Sequence, residues 1–419
     1  MQTITAIGQG SFGKVEKVCW CDKVYARKTL LREERDEGLS FASLRECDIY
    51  TRFACNFMAR VYRITLENHQ LCLWMGLADR SLAQYIETDP AFGDRLALLP
   101  KVAWAVLNFF NYLHAHNVLH RDIKPDNILL NEQQVYVTDM GSCRCLGMHG
   151  KGGWELTGGM GTKCYRPPEM NGSQYGKPAD MYCLGSTLIH LLHGIHPVEG
   201  FNPETFPSHW QQTVMAYEKH IPASLFNLLQ RMISTDPSKR ITVSEALQHD
   251  FFSGNSVPQI PKMLQVSKPG VYLSRLNIST AERTSWVEYI VDVGTSYNCS
   301  STTITTAVQL WDDFLSLTKP DITHRHTQQL GQNALELYAT VCLWISTKYF
   351  QEHALRLSDL MYQCQGRFQN NDFTDMEECI ISVLNYRIVR RSLPKSITTK
   401  INPFQLKQIL SSSQFLVKD

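Results

Sequence analysis

The chain lacks any uninterrupted apolar run approaching the ~18 residues that a membrane-crossing helix needs. Its start, MQTITAIGQGSFG, has no basic stretch followed by an apolar one. Neither a membrane span nor a secretory signal is expected. Excess charge of one sign is also missing, since 41 Lys and Arg stand against 40 Asp and Glu, a net +1. That balance removes the bulk electrostatic case for nucleic acid or an anionic membrane as partner. No Lys/Arg cluster of the nuclear-import kind stands out, and neither internal repeats nor low-complexity tracts occur. The 13 cysteines, scattered from Cys19 to Cys379, form no regular framework and no paired CxxC knuckles. Ordinary reduced thiols and an intracellular setting, cytosol or nucleus, are expected.

What is present is the composition of a folded protein, 43% hydrophobic and 19% charged over 419 residues. That length suits two to three domains with a sizeable core. Residues 1–78 alternate apolar and polar as strands do, apart from one helical stretch near 41–53. Residues 79–253 read as helices separated by Gly- and Pro-containing loops. Residues 254–280 are rich in proline and glycine, as a linker is. Residues 281–392 return to helical periodicity, and 393–419 form a tail.

In that last helical region Trp286, Ile290, Val293 and Tyr297 recur at helical spacing, as do Ile304, Val308, Trp311 and Leu315. Leu335, Tyr338, Cys342, Ile345 and Tyr349 do likewise, with Leu337, Val341 and Leu343 on the other faces. A helix apolar nearly all round belongs at the centre of a bundle. LSDLMYQC and DMEECIISVL supply two more helices. Five helices with the third buried are expected.

The first region carries residues suited to phosphoryl transfer. Gly8, Gly10 and Gly13, followed by Val15, form a Gly-x-Gly-x-x-Gly-x-Val run that leads into a strand rather than a helix. Glycines let backbone amides close over phosphates, and the strand argues against a dinucleotide turn. In Val24-Tyr25-Ala26-Arg27-Lys28 a strand places Ala26 and Lys28 on one face. Ala26 then floors a purine while Lys28 reaches the phosphates. Glu46, on the helical stretch, is a partner that would hold Lys28 in place. In His120-Arg121-Asp122-Ile123-Lys124-Pro125-Asp126-Asn127, Asp122 is spaced to accept a hydroxyl proton. Lys124 can neutralise the transferred group, and Asn127 offers a hard oxygen to Mg²⁺. Asp139, after the apolar strand Val135–Val137 and before Gly141, offers a second. Alone each of these residues has a bland reading as a snorkelling lysine, a solvated helix acid or a loop polar group.

Together and in this order they resemble the signature of a eukaryotic-type Ser/Thr protein kinase over residues 4–253. The resemblance implies an α+β bilobal fold, with an antiparallel sheet in the N-lobe and a helical C-lobe. It implies ATP and Mg²⁺ in the cleft between them. Ile7, Gly8, Gly10, Gly13, Val15, Ala26 and Leu129 would line the nucleotide site, and Met75, Gly76, Leu77 and Ala78 would form its hinge. Thr162 to Glu169 looks like the end of an activation segment, Asp180 to Gly185 like the buried helix that braces the catalytic loop. Arg240 would pair with Glu169.

Ser43-Leu44-Arg45-Glu46 resembles the regulatory helix of cyclin-dependent kinases. Arg45, Arg121 and Arg144 would then converge, and three guanidiniums demand an anion. A phosphorylated Thr157 is the implied source, placed by an activating kinase, with Thr162 as a second regulatory threonine. The chain departs from the family at Met140, Pro167 and Gly76. The insert usual after the Gly185 helix is short or missing, which leaves proline-directed preference open.

The second helical region resembles a cyclin box over 281–392. Arg283 to Ile290, Ala307 to Phe314 and Cys342 to Tyr349 carry the likeness, and Asp313 departs from it. Met376-Glu377 would open the fifth helix. The pair Lys348 and Glu377 is implied as the contact to a kinase regulatory helix. Fully extended, residues 254–280 reach about 90 Å, so intramolecular docking on the helix around Arg45 is feasible. The reading is a protein Ser/Thr kinase acting on protein substrates and activated in cis. The alternatives are an independent kinase whose helical domain binds partners or dimerises, a pseudokinase scaffold, and a small-molecule kinase.

Overall fold

The computed structural model describes residues 2–10, 13–31, 38–132, 134–146, 161–172, 174–195, 206–253, 279–318, 333–351, 354–388 and 402–411. Thr157 and nearly all of the expected linker lie outside them.

The N-terminal part is an antiparallel sheet built from β1 (Gln2–Gly10), β2 (Gly13–Trp20) and β3 (Lys23–Leu30), then β4 (Val61–Glu67) and β5 (Gln70–Met75). The strand order is β1-β2-β3-β5-β4. One helix, α1 (Phe41–Arg52), interrupts it. Its N-cap is Ser40, whose hydroxyl accepts from the Ser43 amide and so satisfies one orphan donor of the first turn.

The C-lobe follows. It holds β6 (Arg80–Ser81), α2 (Leu82–Glu87), α3 (Phe92–Ala115), β7 (Val118–Leu119), β8 (Ile128–Leu130), β9 (Val135–Val137) and β10 (Arg144–Cys145). Then come α4 (Lys177–His193), α5 (Phe206–Ala216), α6 (Ala223–Met232) and α7 (Val243–Leu247). By length and composition α3 could cross a membrane. Here Leu99, Val102, Val106, Phe109, Phe110 and Leu113 instead build the C-lobe core. Gly185 on α4 lies so close to α6 that a Cβ would sit 2.7 Å from the Met232 side chain.

The helical domain contains α8 (Thr280–Ser296), α9 (Ser301–Leu317), α10 (Ala334–Phe350), α11 (Leu357–Gln363) and α12 (Asn370–Val383). As the all-round apolar pattern implies, α10 is the central helix, with Leu337, Val341, Trp344 and Ile345 almost wholly buried. The fifth helix starts at Asn370, earlier than the expected Met376-Glu377 opening. Gln369 and Asp372 close a capping box there and nucleate the helix upstream. The expected tail carries a further helix, α13 (Pro403–Ser411), which packs on α8 and buries Leu406 and Leu410. Arg283 ties the ends together: Nε and Nη2 donate to Asp312 at 2.8 and 2.7 Å, and Nη1 to the Leu410 carbonyl at 3.1 Å.

Two apolar cores result. One fills the C-lobe and takes in Ile49 and Phe53. The other runs without a break from Leu30, Leu71 and Leu73 of the sheet, through Leu39, Leu44 and Cys47, into the helical domain. Thus α1 is wedged between the two cores.

Candidate active site

The cleft is assembled from strand register. Val15 on β2 faces Lys28 on β3, and Ala26 faces Met75 on β5. Gly8, paired with Val15, and Gly10, paired with Gly13, belong to the β1–β2 hairpin. Gly13 has φ +138°, and a Cβ there would fall 2.0 Å from the Thr29 carbonyl, so no other residue fits. Val15, Ala26 and Leu129 are half-buried, Ile7 is 40% exposed and Met75 is buried. Gly76, Leu77 and Ala78 are half-buried between the lobes, anchored by the Gly76 amide donating to the Arg60 carbonyl at 3.1 Å.

Lys28 Nζ donates to both oxygens of Glu46 at 2.8 and 2.9 Å, and to Asp139 Oδ1 at 3.1 Å. Burial works against the ammonium charge, but Glu46 and Asp139 outweigh it and hold Lys28 above the ordinary lysine range. For Glu46 burial dominates over the attraction of Lys28 and lifts the carboxyl to about 7. Two contacts under 3 Å nonetheless have the geometry of a charged pair.

The catalytic loop is held from below. Asp180 on α4 accepts from the His120 and Arg121 amides at 3.0 and 2.8 Å, and contacts His114 Nε2 at 2.8 Å. Burial works to raise this carboxyl, yet His114 and the amides outweigh it and hold it below the ordinary aspartate range. Two residues here sit in the left-handed region without being glycine, Arg121 at φ +70° and Asp139 at +64°. Such strain persists only where surroundings over-determine it.

Asp122 Oδ1 accepts from the Thr162 amide and hydroxyl, each at 2.9 Å, and Lys124 Nζ donates to the same hydroxyl at 2.9 Å. Gly161 makes the approach possible. Its φ is +79°, and a Cβ would lie 2.5 Å from the Arg121 carbonyl. Sequence reasoning gave Thr162 a regulatory place; its side chain sits in the catalytic hydrogen-bond network. Asn127 Nδ2 donates to the Asp122 carbonyl at 2.8 Å and to Oδ2 at 3.3 Å. Its amide oxygen therefore remains for a cation. With the Asp139 carboxylate it forms a hard-oxygen set that fits a divalent metal. Arg240 and Glu169 form the expected pair, at 2.6 and 3.3 Å.

Arg45, Arg121 and Arg144 do converge. Burial first, then Arg144 and Arg121, lower the Arg45 guanidinium to about 9, and burial and Arg121 lower Arg144. Arg121 donates to the Ser142 carbonyl and the Tyr175 hydroxyl, and Arg144 to the Phe350 carbonyl. Arg45 Nε is buried with no hydrogen-bond partner.

The helical domain meets this lobe at Lys348 and Glu377, a buried pair at 2.8 Å. Lys348 Nζ donates to the Leu39 carbonyl at 3.1 Å, and the Leu39 amide donates to Glu377 Oε2 at 2.8 Å. Gly38, not singled out in the sequence, has φ +74°, and a Cβ would fall 2.1 Å from Glu377 Oε2. Asp48 was missed as well; a charged residue on the buried face of α1 is the signal that could have found it.

A lysine locked by a helix glutamate, above a loop that presents an aspartate and an amide oxygen, defines a phosphotransferase that works on ATP with a divalent metal. A family model described as protein kinase domain matches residues 1–252, and one for the cyclin N-terminal domain matches residues 261–389. The chain belongs to the protein kinase family, joined in one polypeptide to a cyclin domain.

Proposed function

We propose that this kinase phosphorylates protein serine and threonine hydroxyls and that its own cyclin domain holds it in the active arrangement, as in the cyclin-dependent branch. The observation that carries the acceptor class is the Asp122–Thr162–Lys124 contact. A threonine hydroxyl already rests between the carboxylate and the ammonium, which outlines where an acceptor hydroxyl of similar reach would sit.

In this reading Lys28, oriented by Glu46, holds the α- and β-phosphates. Asp122 orients the acceptor and takes its proton, and Lys124 steadies charge on the transferred group. Asn127 and Asp139 would hold Mg²⁺, which when bound neutralises the phosphate oxygens. The hairpin glycines and Val15, Ala26, Leu129 and the 75–78 hinge enclose the nucleotide. The Arg45, Arg121 and Arg144 cluster takes an anion, and phosphorylated Thr157 supplies it. The Leu39 contacts of Lys348 and Glu377 support docking in cis. All 13 cysteines are free, in keeping with a reducing compartment, cytosol or nucleus.

The test is a degenerate peptide library with the full chain and Asp122→Asn. Transfer to serine and threonine that falls about 10³-fold or more in the variant, with nucleotide binding retained, is expected. Transfer confined to tyrosine, or undiminished in the variant, overturns the reading.

A further inference from the structure

The Lys348–Glu377 pair hydrogen-bonds to the Leu39 backbone, at one amide and one carbonyl. Backbone groups are the same in any kinase, so this contact anchors without discriminating. The discriminating contact lies about two turns into α1. Asp48 is 0% exposed. Its Oδ2 accepts from the Tyr349 hydroxyl at 2.7 Å and from Arg52 Nη1 at 3.0 Å, and its Oδ1 accepts from the Ile388 amide at 2.7 Å. Two of these three donors belong to the cyclin domain, at the end of α10 and beyond α12.

Tyr349 and Ile388 are themselves buried. Burial and the Asp48 charge push the Tyr349 phenol well above its ordinary range, so the hydroxyl stays a donor. Arg52 lies on α1 itself and stays beside Asp48 whichever domain docks, but a partner without the Tyr349 and Ile388 donors would take the carboxylate out of water and leave those two hydrogen bonds unmade, which is unfavourable. Rejection of wrong partners by an unmet polar group is a common route to specificity.

We propose that Asp48 restricts α1 to this chain's own cyclin domain, because docking requires a buried hydroxyl at position 349 and an open backbone amide at position 388. This rests on the docking reading above. A cyclin-type domain with an aliphatic or phenyl side chain in place of Tyr349 buries the carboxylate without that hydroxyl and docks less tightly.

The experiment uses the full chain. Hydrogen exchange over residues 41–52 reports docking, exchange over 92–115 and 280–296 reports folding of the C-lobe and of the cyclin domain, and peptide phosphorylation reports activity. Lys348→Ala is the reference for lost docking. Tyr349→Phe removes one oxygen and is expected to lower protection of 41–52 at least tenfold with 92–115 and 280–296 unchanged. In an Asp48→Ala background the same Tyr349→Phe change is expected to lower protection less than twofold further, because the carboxylate that the hydroxyl served is gone. If Lys348→Ala exposes 41–52 while Tyr349→Phe changes protection less than twofold, docking stands and the Asp48 proposal is overturned. The proposal is also overturned if Tyr349→Phe costs as much protection in the Asp48→Ala background as in the parent. If Lys348→Ala itself leaves protection and activity intact, the docking reading is what fails.

Discussion

Replacing Gly38 by alanine is the sharpest probe of how the cyclin domain controls the kinase. At φ +74° an alanine costs about 1–2 kcal/mol. Its methyl group would also lie 2.1 Å from Glu377 Oε2 and 3.0 Å from both Lys348 Nζ and the Trp344 ring, so the buried pair must move. Disrupting such a pair costs about 3–5 kcal/mol, for a sum of roughly 4–7. A short tether gives an effective concentration of order mM. With an intrinsic affinity of order μM, docking is favoured by only about 4 kcal/mol. The substitution therefore takes the docked population from nearly complete to one half or less. Glu46, held inward by α1, then swings away from Lys28. Peptide phosphorylation at saturating ATP should fall between twofold and about 100-fold, with exchange over 41–52 rising in parallel. Gly366→Ala is the control, since its φ is +67° but no atom lies within 4 Å of the added carbon. It should cost the same backbone strain and leave activity unchanged. Full activity in Gly38→Ala, or an equal loss in Gly366→Ala, would refute the reasoning.

Thr162→Val removes the hydroxyl shared by Asp122 and Lys124; kcat should fall about 10–100-fold while KM for ATP stays within twofold, by steady-state kinetics. Chelation of divalent cations should abolish transfer and leave the far-ultraviolet circular dichroism unchanged, and added Mg²⁺ should restore transfer to the parent rate. Asp180→Asn strands donors around a buried site and should cost about 3 kcal/mol or more at pH 7 in urea unfolding. Because the folded state lowers the Asp180 carboxyl, its contribution is present above the ordinary aspartate value near 4 and is lost as pH falls below it. The gap between variant and parent should therefore close in acid, and a gap independent of pH would count against the assignment.

Much of the site was legible because its residues sit in short local patterns. Lys28, Asp122, Lys124, Asn127 and Asp139 each lie within a motif whose spacing sets strand face or loop position. The central helix of the cyclin domain was legible from apolar residues on every face. The sixth described helix of that domain was not, because Leu406 and Leu410 form too short a pattern to stand out. Gly38 was invisible because a left-handed φ and a close approach from Glu377, far along the chain, leave no local trace. Thr162 carried a signal, but not the information that its hydroxyl would lie between Asp122 and Lys124.

The sequence by itself determined the chemistry: which side chains carry charge, which can hold a metal, and where glycines permit a hairpin over phosphates. It also determined the two kinds of secondary structure, since period-2 and helical apolar patterns are properties of neighbouring residues. Only the tertiary structure decided that α1 lies between two cores, with Glu46 turned to Lys28 and Asp48 to Tyr349. Opposite faces of one short helix are assigned by what packs on them, and here the two packing partners lie before and beyond it in the chain. Burial then converts ordinary carboxylates into groups that demand specific donors, and no local pattern records which distant residue will supply them.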